Sequence, residues 1–397
     1  MRILFVTTKT PLPANDGHSI RTFNILKQLS KEHEIHLLSF VKYPEEYDYL
    51  NELQKKCKSV RLFNVPENMS KTAIMLTLVK SMLARVPYVV DKYNREEMRM
   101  AIQHVLSSQK IDLLHLDMLP LGSYIHESDG IKTLLNEHNV ESMLLKRRMQ
   151  QEKNPITKYF IKKQQAWLEG FEHSIIQKVT HILACSHEDK NILETFKDCQ
   201  PVTVIPNGVD VEYFYPADPR KKRNDRIIFV GGVNWPPNKD AMIWFDREIF
   251  PKILAIKPDV KLYVIGRGGK ISWKNQNNII QLGFVQDVRP FMEESAVFVV
   301  PLRIGGGTRL KILNAMAMRG SVVSTTIGAE GLDVTDGENI LLADDPLLFA
   351  DHVVTLLDSQ TYNYRIGSKA RELIKEVYDW NIIGKQLRNL YEEILSS

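Results

Sequence analysis

Cysteine is scarce in this sequence, and several other patterns are missing altogether. The 397 residues contain three cysteines, Cys57, Cys185 and Cys199, and none lies in a CxxC or Cys/His spacing. Such an odd and sparse set argues against a disulfide framework and for a reducing compartment. No apolar run is long enough to span a bilayer, and the apolar residues 3–8 lead directly into a lysine and prolines, unlike a signal peptide. These absences predict a cytoplasmic protein.

A strong charge and a dinucleotide fingerprint are also absent. The formal net charge is +4, which is mild for this length and gives no reason to propose a nucleic-acid partner. No GxGxxG follows the first apolar run. Because that motif carries the pyrophosphate of dinucleotide cofactors, its absence counts against a nicotinamide or flavin enzyme.

Short apolar runs rich in β-branched residues alternate with longer helical patterns along the whole chain, and the longest helical pattern spans residues 142–178. Continuous hydrophobicity in the runs indicates parallel sheets covered on both faces. A polar stretch at residues 206–226 divides the pattern, and the chain is too long for one ordinary core. We therefore predict two doubly wound α/β domains, residues 1–206 and 207–379, and an amphipathic helix at 380–395. The strand candidates are residues 3–8, 35–41, 60–63, 111–116, 133–136, 181–186, 202–205, 227–230, 261–265, 279–282, 297–300, 322–325 and 340–342.

A glycine-rich loop with two cations is the most informative motif. Glycines 305–307 and Thr308 follow the apolar run 297–301 and precede Arg309, Lys311 and an amphipathic segment. A helix start offers unpaired N–H groups and a positive dipole end, which Thr308 is able to cap and the two cations reinforce. We interpret this as a site for an anionic group such as a diphosphate. The alternative is a glycine loop that closes an ordinary βα unit.

In the first predicted domain, the carboxyl ends of strands select three residues. Ligands of open α/β sheets bind there. Gly17, in the loop after the first strand, lets a ligand approach the backbone, and Arg21 suits a phosphate or carboxylate. His138 follows the strand 133–136, where it suits proton transfer or a hydrogen bond to substrate. A solvated helix face for Arg21 and a role without chemistry for His138 stay open.

The order and spacing of these motifs resemble the retaining nucleotide-sugar glycosyltransferases of family 4, which have the GT-B fold. The resemblance is carried by Pro206-Asn207-Gly208, by FVGG at 229–232, VIGRG at 264–268, LGFV at 282–285 and AMA at 315–317. It covers nearly the whole chain and is closest to a branch common among bacterial surface-polysaccharide enzymes. It implies two Rossmann-like domains facing a cleft, with the helix 380–395 crossing back to the first domain.

The resemblance also implies a reaction and the residues that perform it. A sugar passes from a UDP-, GDP- or ADP-sugar to a glycan or lipid-linked acceptor with retention of configuration. Arg309 and Lys311 bind the diphosphate in this interpretation. His138 contacts the transferred sugar, and Arg21 lies on the acceptor side. Glu330 faces the cleft in this interpretation, with a solvated loop carboxylate as its alternative. The donor-binding residues are Gly17, Gly232, Asn234, Gly266, Arg267, Phe284, Val285, Gly306, Gly307, Thr308, Asn314 and Glu330.

Asn314 departs from the family pattern. Many members have two glutamates eight positions apart, where this chain has Gly306, which is typical of the branch, and Asn314. An amide accepts hydrogen bonds at one oxygen only, so we expect weaker or altered donor binding at Asn314. The alternative function is therefore a catalytically weakened homologue that binds a nucleotide sugar or supports a partner glycosyltransferase.

The chain has no DxD pair, which the other large glycosyltransferase fold uses to hold Mg²⁺ or Mn²⁺. We therefore expect no metal and no cofactor, and the leaving diphosphate itself takes the acceptor's proton. Residues 73–90 and 146–163 mix apolar and basic side chains. Such surfaces bind anionic membranes, here the inner face of the cell membrane, or they are simply solvated helix faces.

Overall fold

The computed structural model describes residues 1–65, 70–128, 130–216, 223–304 and 309–396. The chain forms two compact units. Unit 1 comprises Met1–Pro206 with Gly384–Ser397, and unit 2 comprises Asn207–Ile383. Each unit is built on a parallel sheet with helices between the strands, which confirms the predicted fold class.

The sheet of unit 1 has seven parallel strands in the order β3-β2-β1-β4-β5-β6-β7. Strands β1, β2, β4 and β5 are buried along most of their length, as their continuous hydrophobicity predicts. The order reverses between β1 and β4, which are adjacent although far apart in sequence. The strands are β1 Arg2–Thr7, β2 Glu34–Val41, β3 Ser59–Asn64, β4 Leu113–Asp117, β5 Lys132–Asn136, β6 His181–Ala184 and β7 Val202–Val204.

The helices of unit 1 differ from the sequence pattern in one long stretch. Residues 142–178 read as one helical pattern, but the structure forms two helices. The second begins at Pro155, and the Asn154 side chain accepts hydrogen bonds from the backbone N–H groups of Ile156 and Thr157. The helices are α1 Gly17–Leu29, α2 Leu50–Gln54, α3 Lys71–Ala84, α4 Tyr88–Tyr93, α5 Glu96–Ser108, α6 Glu141–Gln151, α7 Pro155–Ile176 and α8 His187–Leu193, with 3₁₀ turns at Pro44–Tyr49 and Leu119–Glu127.

Unit 2 repeats the design with six parallel strands in the order β10-β9-β8-β11-β12-β13. The strands are β8 Arg223–Val230, β9 Lys261–Ile265, β10 Ile279–Gly283, β11 Ser295–Val300, β12 Ser321–Ser324 and β13 Leu341–Leu342. The helices are α9 Pro236–Trp244, α10 Phe250–Ile256, α11 Arg289–Glu294, α12 Leu310–Ala317, α13 Thr326–Ala329, α14 Pro346–Asp358 and α15 Gln360–Leu373. A 3₁₀ turn at Gln276–Asn278 and π turns at Phe245–Ile249 and Ile374–Tyr378 complete the unit.

The last helix, α16, spans Trp380–Ser396. It begins within unit 2, and from Gly384 onward its residues belong to unit 1. Leu387 and Tyr391 are fully buried, in keeping with the apolar stripe of the sequence. None of the described helices combines the length and apolar character that a bilayer crossing requires.

Candidate active site

The unit 1 site lies at the carboxyl ends of three neighbouring strands. Thr7 ends β1, Asp117 ends β4 and Asn136 ends β5, and the register pairs Thr7 with Asp117 and Asp117 with Asn136. This is the point where the strand order reverses, and open α/β sheets bind ligands at such a point. The sheet therefore places these three polar side chains side by side. Asn136 is also two residues before His138 in the sequence.

Asp117 is the centre of this group. Its Oδ2 accepts hydrogen bonds from the hydroxyls of Thr7 at 2.9 Å and Thr22 at 2.7 Å, and its Oδ1 accepts one from Asn136 Nδ2 at 2.7 Å. The rings of His18 and His138 are also within hydrogen-bond distance of its two oxygens. Burial raises the pKa of Asp117, but His138, His115 and His18 outweigh it and hold that pKa well below its usual value. The carboxylate is therefore ionised, and its lone pairs are already engaged.

His138 is held by Asp117 in a defined tautomer. Its Nε2 lies 2.8 Å from Asp117 Oδ1, so Nε2 carries the proton that it donates to the carboxylate. Burial, with smaller contributions from His18 and Arg21, lowers the pKa of His138 to about 4 despite the Asp117 charge. At neutral pH the ring is uncharged, and Nδ1 is the nitrogen left as an acceptor.

Arg21 and Gly17 occupy different environments. The guanidinium of Arg21 is fully buried, and its Nη2 donates to Asn136 Oδ1 at 3.0 Å. The solvated-face alternative for Arg21 is therefore wrong, because the side chain fixes Asn136 instead. Gly17 is the exposed first residue of α1, directly after the N-cap Asp16. Beside it, His18 lies edge-on to His138 with ring centroids 4.7 Å apart, a neighbour that our sequence reasoning missed.

A second layer behind Asp117 comes from the C-terminal helix. The hydroxyl of Tyr391 is hydrogen-bonded to His115 Nδ1, and His115 stacks on Phe5 with centroids 4.0 Å apart. Burial lowers the pKa of His115 and raises that of Tyr391, so the neutral phenol donates to the neutral imidazole. The proton of His115 then resides on Nε2, 3.9 Å from Asp117 Oδ1. Helix α16 thus orients the ring that lies under the carboxylate.

His18, Asp117 and His138 also have the composition of a metal-binding trio. One ligand atom from each lies within 4.8 Å of the others. The hydroxyls of Thr7 and Thr22 and the amide of Asn136 already bind the carboxylate, however. A cation would have to displace these donors, so the donor set fits a hydrogen-bonded anchor better than a metal centre. The absence of a metal requirement stays a prediction.

A group of buried acids borders the same site. Among the described residues, neither carboxyl oxygen of Glu137 has a hydrogen-bond partner, and burial together with Glu172 and Glu141 raises its pKa well above the usual value. Burial likewise raises the pKa of Glu141 and of Glu172 to about 7. Glu137, next to His138, is therefore protonated at neutral pH and is not an available nucleophile.

In unit 2, two loops interlock through glycines. The first follows β8 and contains Gly232, and the second follows β9 and contains Gly266 and Gly268. A Cβ at Gly266 would lie 2.4 Å from the backbone of Gly231, and one at Gly268 would lie 2.6 Å from Asn234 N. Gly266 and Gly268 also have φ values of +148° and +140°, which side chains rarely adopt. These glycines bring the two loops into backbone contact.

Lys311 extends from the first turn of α12 to this pair of loops. Its Nζ donates to Asn238 Oδ1 at 2.9 Å and lies 4.6 Å from the ring centroid of Phe229. Asn238 Nδ2 in turn donates to the carbonyl of Gly232 at 2.9 Å. A Cβ at Gly231 would lie 2.8 Å from the lysine Nζ. Burial, with the nearby Arg309, lowers the pKa of Lys311 to about 7, so an anion bound here would restore its full charge.

Arg309, which directly precedes α12, lies near Glu330, which directly follows α13. Arg309 is buried, its Nη2 donates to the carbonyl of Ile327 at 2.9 Å, and Glu330 Oε2 is 3.8 Å away. Helix α12 begins at Leu310, and Arg309 occupies its N-cap position without a side-chain cap. Gly306, Gly307 and Thr308 themselves lie outside the described residues.

The other predicted donor residues divide into two groups. Arg267 lies over the exposed ring of Phe284, with 4.9 Å between guanidinium carbon and ring centroid, and half-buried Val285 follows. This offers a flat cationic and aromatic surface. Asn234 is exposed beside Gly232, and Asn314 is half-buried on α12. Asn238, which links Lys311 to the loop, was missed although it follows the same glycines in sequence.

Two doubly wound parallel domains, the second with a lysine and an arginine at a helix start, define the class of GT-B glycosyltransferases. The family model "Glycosyltransferase Family 4" matches residues 15–213, and "Glycosyl transferases group 1" matches residues 224–359. The chain belongs to glycosyltransferase family 4, as its motifs indicated.

Known proteins of similar sequence extend over different shares of the chain. An uncharacterized 44.6 kDa protein in the cps region of Klebsiella pneumoniae is 25% identical and covers 95% of this chain and 96% of its own length. A UDP-Gal:α-D-GlcNAc-diphosphoundecaprenol α-1,3-galactosyltransferase of Escherichia coli is 28% identical over 58% of this chain and 63% of its own. A phosphatidyl-myo-inositol mannosyltransferase of Mycobacterium bovis is 26% identical over 49% and 54%.

Solved structures share the fold at lower identity. Sucrose-phosphate synthase from Thermosynechococcus elongatus superposes with a TM-score of 0.70 at 15% identity, covering 100% of this chain and 99% of its own. HepE of Anabaena, in complex with UDP, superposes with a TM-score of 0.65 at 16% identity, covering 99% and 100%. At these identities, both similarities show that the fold is shared and nothing more.

Proposed function

We propose that the chain transfers a sugar from a nucleoside diphosphate sugar to a glycan or lipid-linked acceptor, with retention of configuration and without a metal ion. Unit 2 binds the donor, and unit 1 binds the acceptor and contacts the transferred sugar through His138. The observation that carries the proposal is Lys311, an enclosed lysine held by Asn238 against glycine loops at a helix start. Such a lysine with a lowered pKa is suited to a phosphate that binds and leaves.

The comparisons support the donor and acceptor classes. HepE structures contain UDP and UDP-glucose, and the E. coli relative is named for a UDP-sugar and a diphosphoundecaprenol-linked acceptor. The two acids nearest His138 favour retention without an enzyme nucleophile: Asp117 is saturated with donors, and Glu137 is protonated. The departing diphosphate therefore takes the acceptor's proton on the face that it leaves.

The proposal is tested with a donor screen. Calorimetry of the full chain against UDP-, GDP- and ADP-sugars is expected to identify one binder, and mass spectrometry then detects transfer to cell-derived glycolipid and glycan acceptors. Proton NMR of the product gives the anomeric configuration. Transfer measured after chelator treatment tests whether the reaction requires a metal ion. Absence of binding by every donor would overturn the proposal. Binding without transfer to any acceptor would favour the weakened homologue.

Asn314 tests the donor side directly. If this position faces the ribose, Asn314→Glu supplies a second acceptor oxygen and is expected to tighten the nucleotide about 10-fold. Calorimetry with the nucleotide from the screen measures the change. The matched control is Asn381→Glu, because Asn381 is an exposed asparagine on α16, outside the donor loops. Equal affinities for Asn314→Glu and the unchanged chain would remove Asn314 from the donor site.

We also propose peripheral contact with the anionic inner face of the cell membrane. On α3, Met75, Leu76, Val79 and Leu83 are between 52% and 81% exposed. On α7, the apolar Ile156 and Tyr159 are exposed beside basic residues, Lys158 and Lys162. An apolar helix face next to cations suits an anionic lipid surface.

Vesicle flotation tests this contact. The chain is expected to float with phosphatidylglycerol vesicles at low salt and to be released at high salt. Leu76→Glu/Leu83→Glu is expected to abolish flotation, whereas Leu347→Glu/Leu348→Glu, which changes exposed leucines of unit 2, leaves it intact. No flotation at low salt would contradict the contact.

A further inference from the structure

A buried polar pair, His115 and Tyr391, lies beneath the Asp117 carboxylate in unit 1. His115 precedes Asp117 by two residues in β4, and side chains two apart in a strand point to the same face of the sheet. The exposed fraction of all three side chains is 0%. Burying a polar group costs free energy unless its polar atoms are hydrogen-bonded, so an imidazole in this strand needs a physical reason.

The two ring nitrogens of His115 differ in their surroundings. Nδ1 accepts a hydrogen bond from the Tyr391 hydroxyl, whereas Nε2 has no hydrogen-bond partner among the described residues. Its distance of 3.9 Å from Asp117 Oδ1 is too long for a hydrogen bond, but a dipole acts on a charge at this range in a buried site. Burial raises the pKa of Asp117, and His115 is one of the histidines that lower it. The ring therefore helps to keep the carboxylate ionised.

Packing alone does not explain this pair. The His115 ring stacks on Phe5 with 15° between the ring planes, and an apolar side chain would fill this position without an unpaired donor. Replacing both members of a buried polar pair by apolar groups of the same shape is nearly neutral or stabilising. The pair therefore adds little to the stability of the core, which favours a role in the site above it.

The Tyr391 hydroxyl determines which nitrogen of His115 carries the proton. Because the phenol donates to Nδ1, the proton of the neutral imidazole resides on Nε2. The opposite tautomer would place the Nε2 lone pair beside the anionic oxygen of Asp117, which is an unfavourable contact. The same oxygen, Oδ1, lies 2.8 Å from Nε2 of His138. Tyr391 is therefore linked to the His138 ring through His115 and Asp117.

We infer that Tyr391 is a positioning residue for the transfer reaction, which acts through His115 on the Asp117 carboxylate and thereby on the proton of His138. The inference rests on the proposed function and extends it to α16. That helix then has two roles, because Leu387 packs in the core and Tyr391 serves the site.

The first test reads the histidine rings and needs no turnover. In the full chain, nitrogen-15 labelling of the 11 histidines reports the tautomer and the hydrogen bonding of each ring nitrogen. The variants His115→Leu and His138→Gln assign the two resonance sets of interest. Tyr391→Phe removes the hydroxyl and keeps the ring, so we expect it to move the resonances of His115 Nδ1 and of His138 Nε2.

Tyr124→Phe is the matched control for the ring measurement. Tyr124 is another fully buried tyrosine of unit 1, and its hydroxyl is hydrogen-bonded to the backbone of Tyr93 and Arg95 instead of to a histidine. Its loss is expected to leave the resonances of both histidines in place. A movement of His138 Nε2 in Tyr391→Phe counts only where it exceeds the one in Tyr124→Phe.

The second test uses turnover and separates function from stability. With the donor found in the screen, Tyr391→Phe is expected to lower kcat about 10-fold while the KM of the donor stays unchanged. The double variant His115→Leu/Tyr391→Phe removes both polar partners, so its Tm should recover towards that of the unchanged chain while kcat stays low. Recovery of kcat together with the Tm would show that the pair serves the core alone, and the inference would be overturned.

Failure of this inference is distinguishable from failure of the proposed function. If no donor nucleotide binds, the proposed function fails, while the ring resonances still decide whether Tyr391 acts on His138. Unmoved His138 resonances in a folded Tyr391→Phe chain would overturn the inference even where sugar transfer is found. Moved resonances together with an unchanged kcat would overturn it as well.

Discussion

Replacing Lys311 by methionine is expected to weaken binding of the donor nucleotide on the order of 100-fold, because it removes the charge-assisted contact to the diphosphate. Methionine keeps an unbranched chain of similar length against Phe229 and Gly231. Calorimetry measures the loss. Lys239→Met is the control, since Lys239 is an exposed lysine of the adjacent helix α9. Equal losses in both variants would show that general charge, rather than Lys311, attracts the donor.

The pH dependence of binding gives Lys311 a distinct signature. Its pKa in the folded chain is about 7, and a bound diphosphate raises it, so binding takes up a proton above pH 7. The Kd is then expected to rise with pH, up to roughly tenfold per unit, until the pKa of the bound state is reached. Calorimetry in buffers of different ionisation enthalpy measures the number of protons that are taken up when the nucleotide binds. Lys311→Met is expected to bind without this uptake.

The free energy of unfolding is expected to change with pH in the direction opposite to the donor affinity. The unfolded lysine has a pKa near its ordinary value of 10.5, so between pH 7 and 10.5 the unfolded chain binds more protons than the folded one. The free energy of unfolding therefore rises with pH across this window and is lowered at neutral pH by the buried amine. Lys311→Met should raise the Tm at pH 7 while it lowers affinity. A joint loss of Tm and affinity would point to misfolding instead.

Much of the fold could be predicted because its signals are local. The continuous apolar strands and the polar segment before β8 are visible in the sequence, and so is the signal that divides residues 142–178. Asn154 followed by Pro155 is a helix start, an N-cap followed by proline at the first helical position. The long apolar periodicity on either side outweighed it in our prediction.

The candidate site was only partly accessible to the same reasoning. The rule that selected His138 also applies to Asp117 and Asn136, which end the adjacent strands. The contacts of Tyr391 with His115 and of Lys311 with Asn238 join residues 276 and 73 positions apart. Such pairs depend on how the elements pack, and no local pattern in a single sequence reveals them.

Asp117 is the residue of unit 1 whose change should matter most. In Asp117→Asn, an amide N–H₂ replaces one carboxylate oxygen, while Thr7, Thr22 and Asn136 still present donors around it. At least one buried donor then loses its acceptor, and His138 loses the anion that fixes its Nε2 proton. We expect kcat to fall on the order of 100-fold, with the nucleotide affinity of unit 2 unchanged.

Two measurements separate this positioning role of Asp117 from a loss of structure. Nitrogen-15 chemical shifts of the histidine rings report the His138 tautomer, which should shift from Nε2–H towards a mixture in Asp117→Asn. Asp112→Asn is the control, because Asp112 accepts from the Arg2 N–H at the other end of β4. A folded Asp117→Asn chain with an altered tautomer and unchanged kcat would exclude His138 from the reaction. Conversely, loss of kcat in both Asp117→Asn and His138→Gln, each with its nucleotide affinity intact, ties the reaction to the tautomer that the buried carboxylate selects.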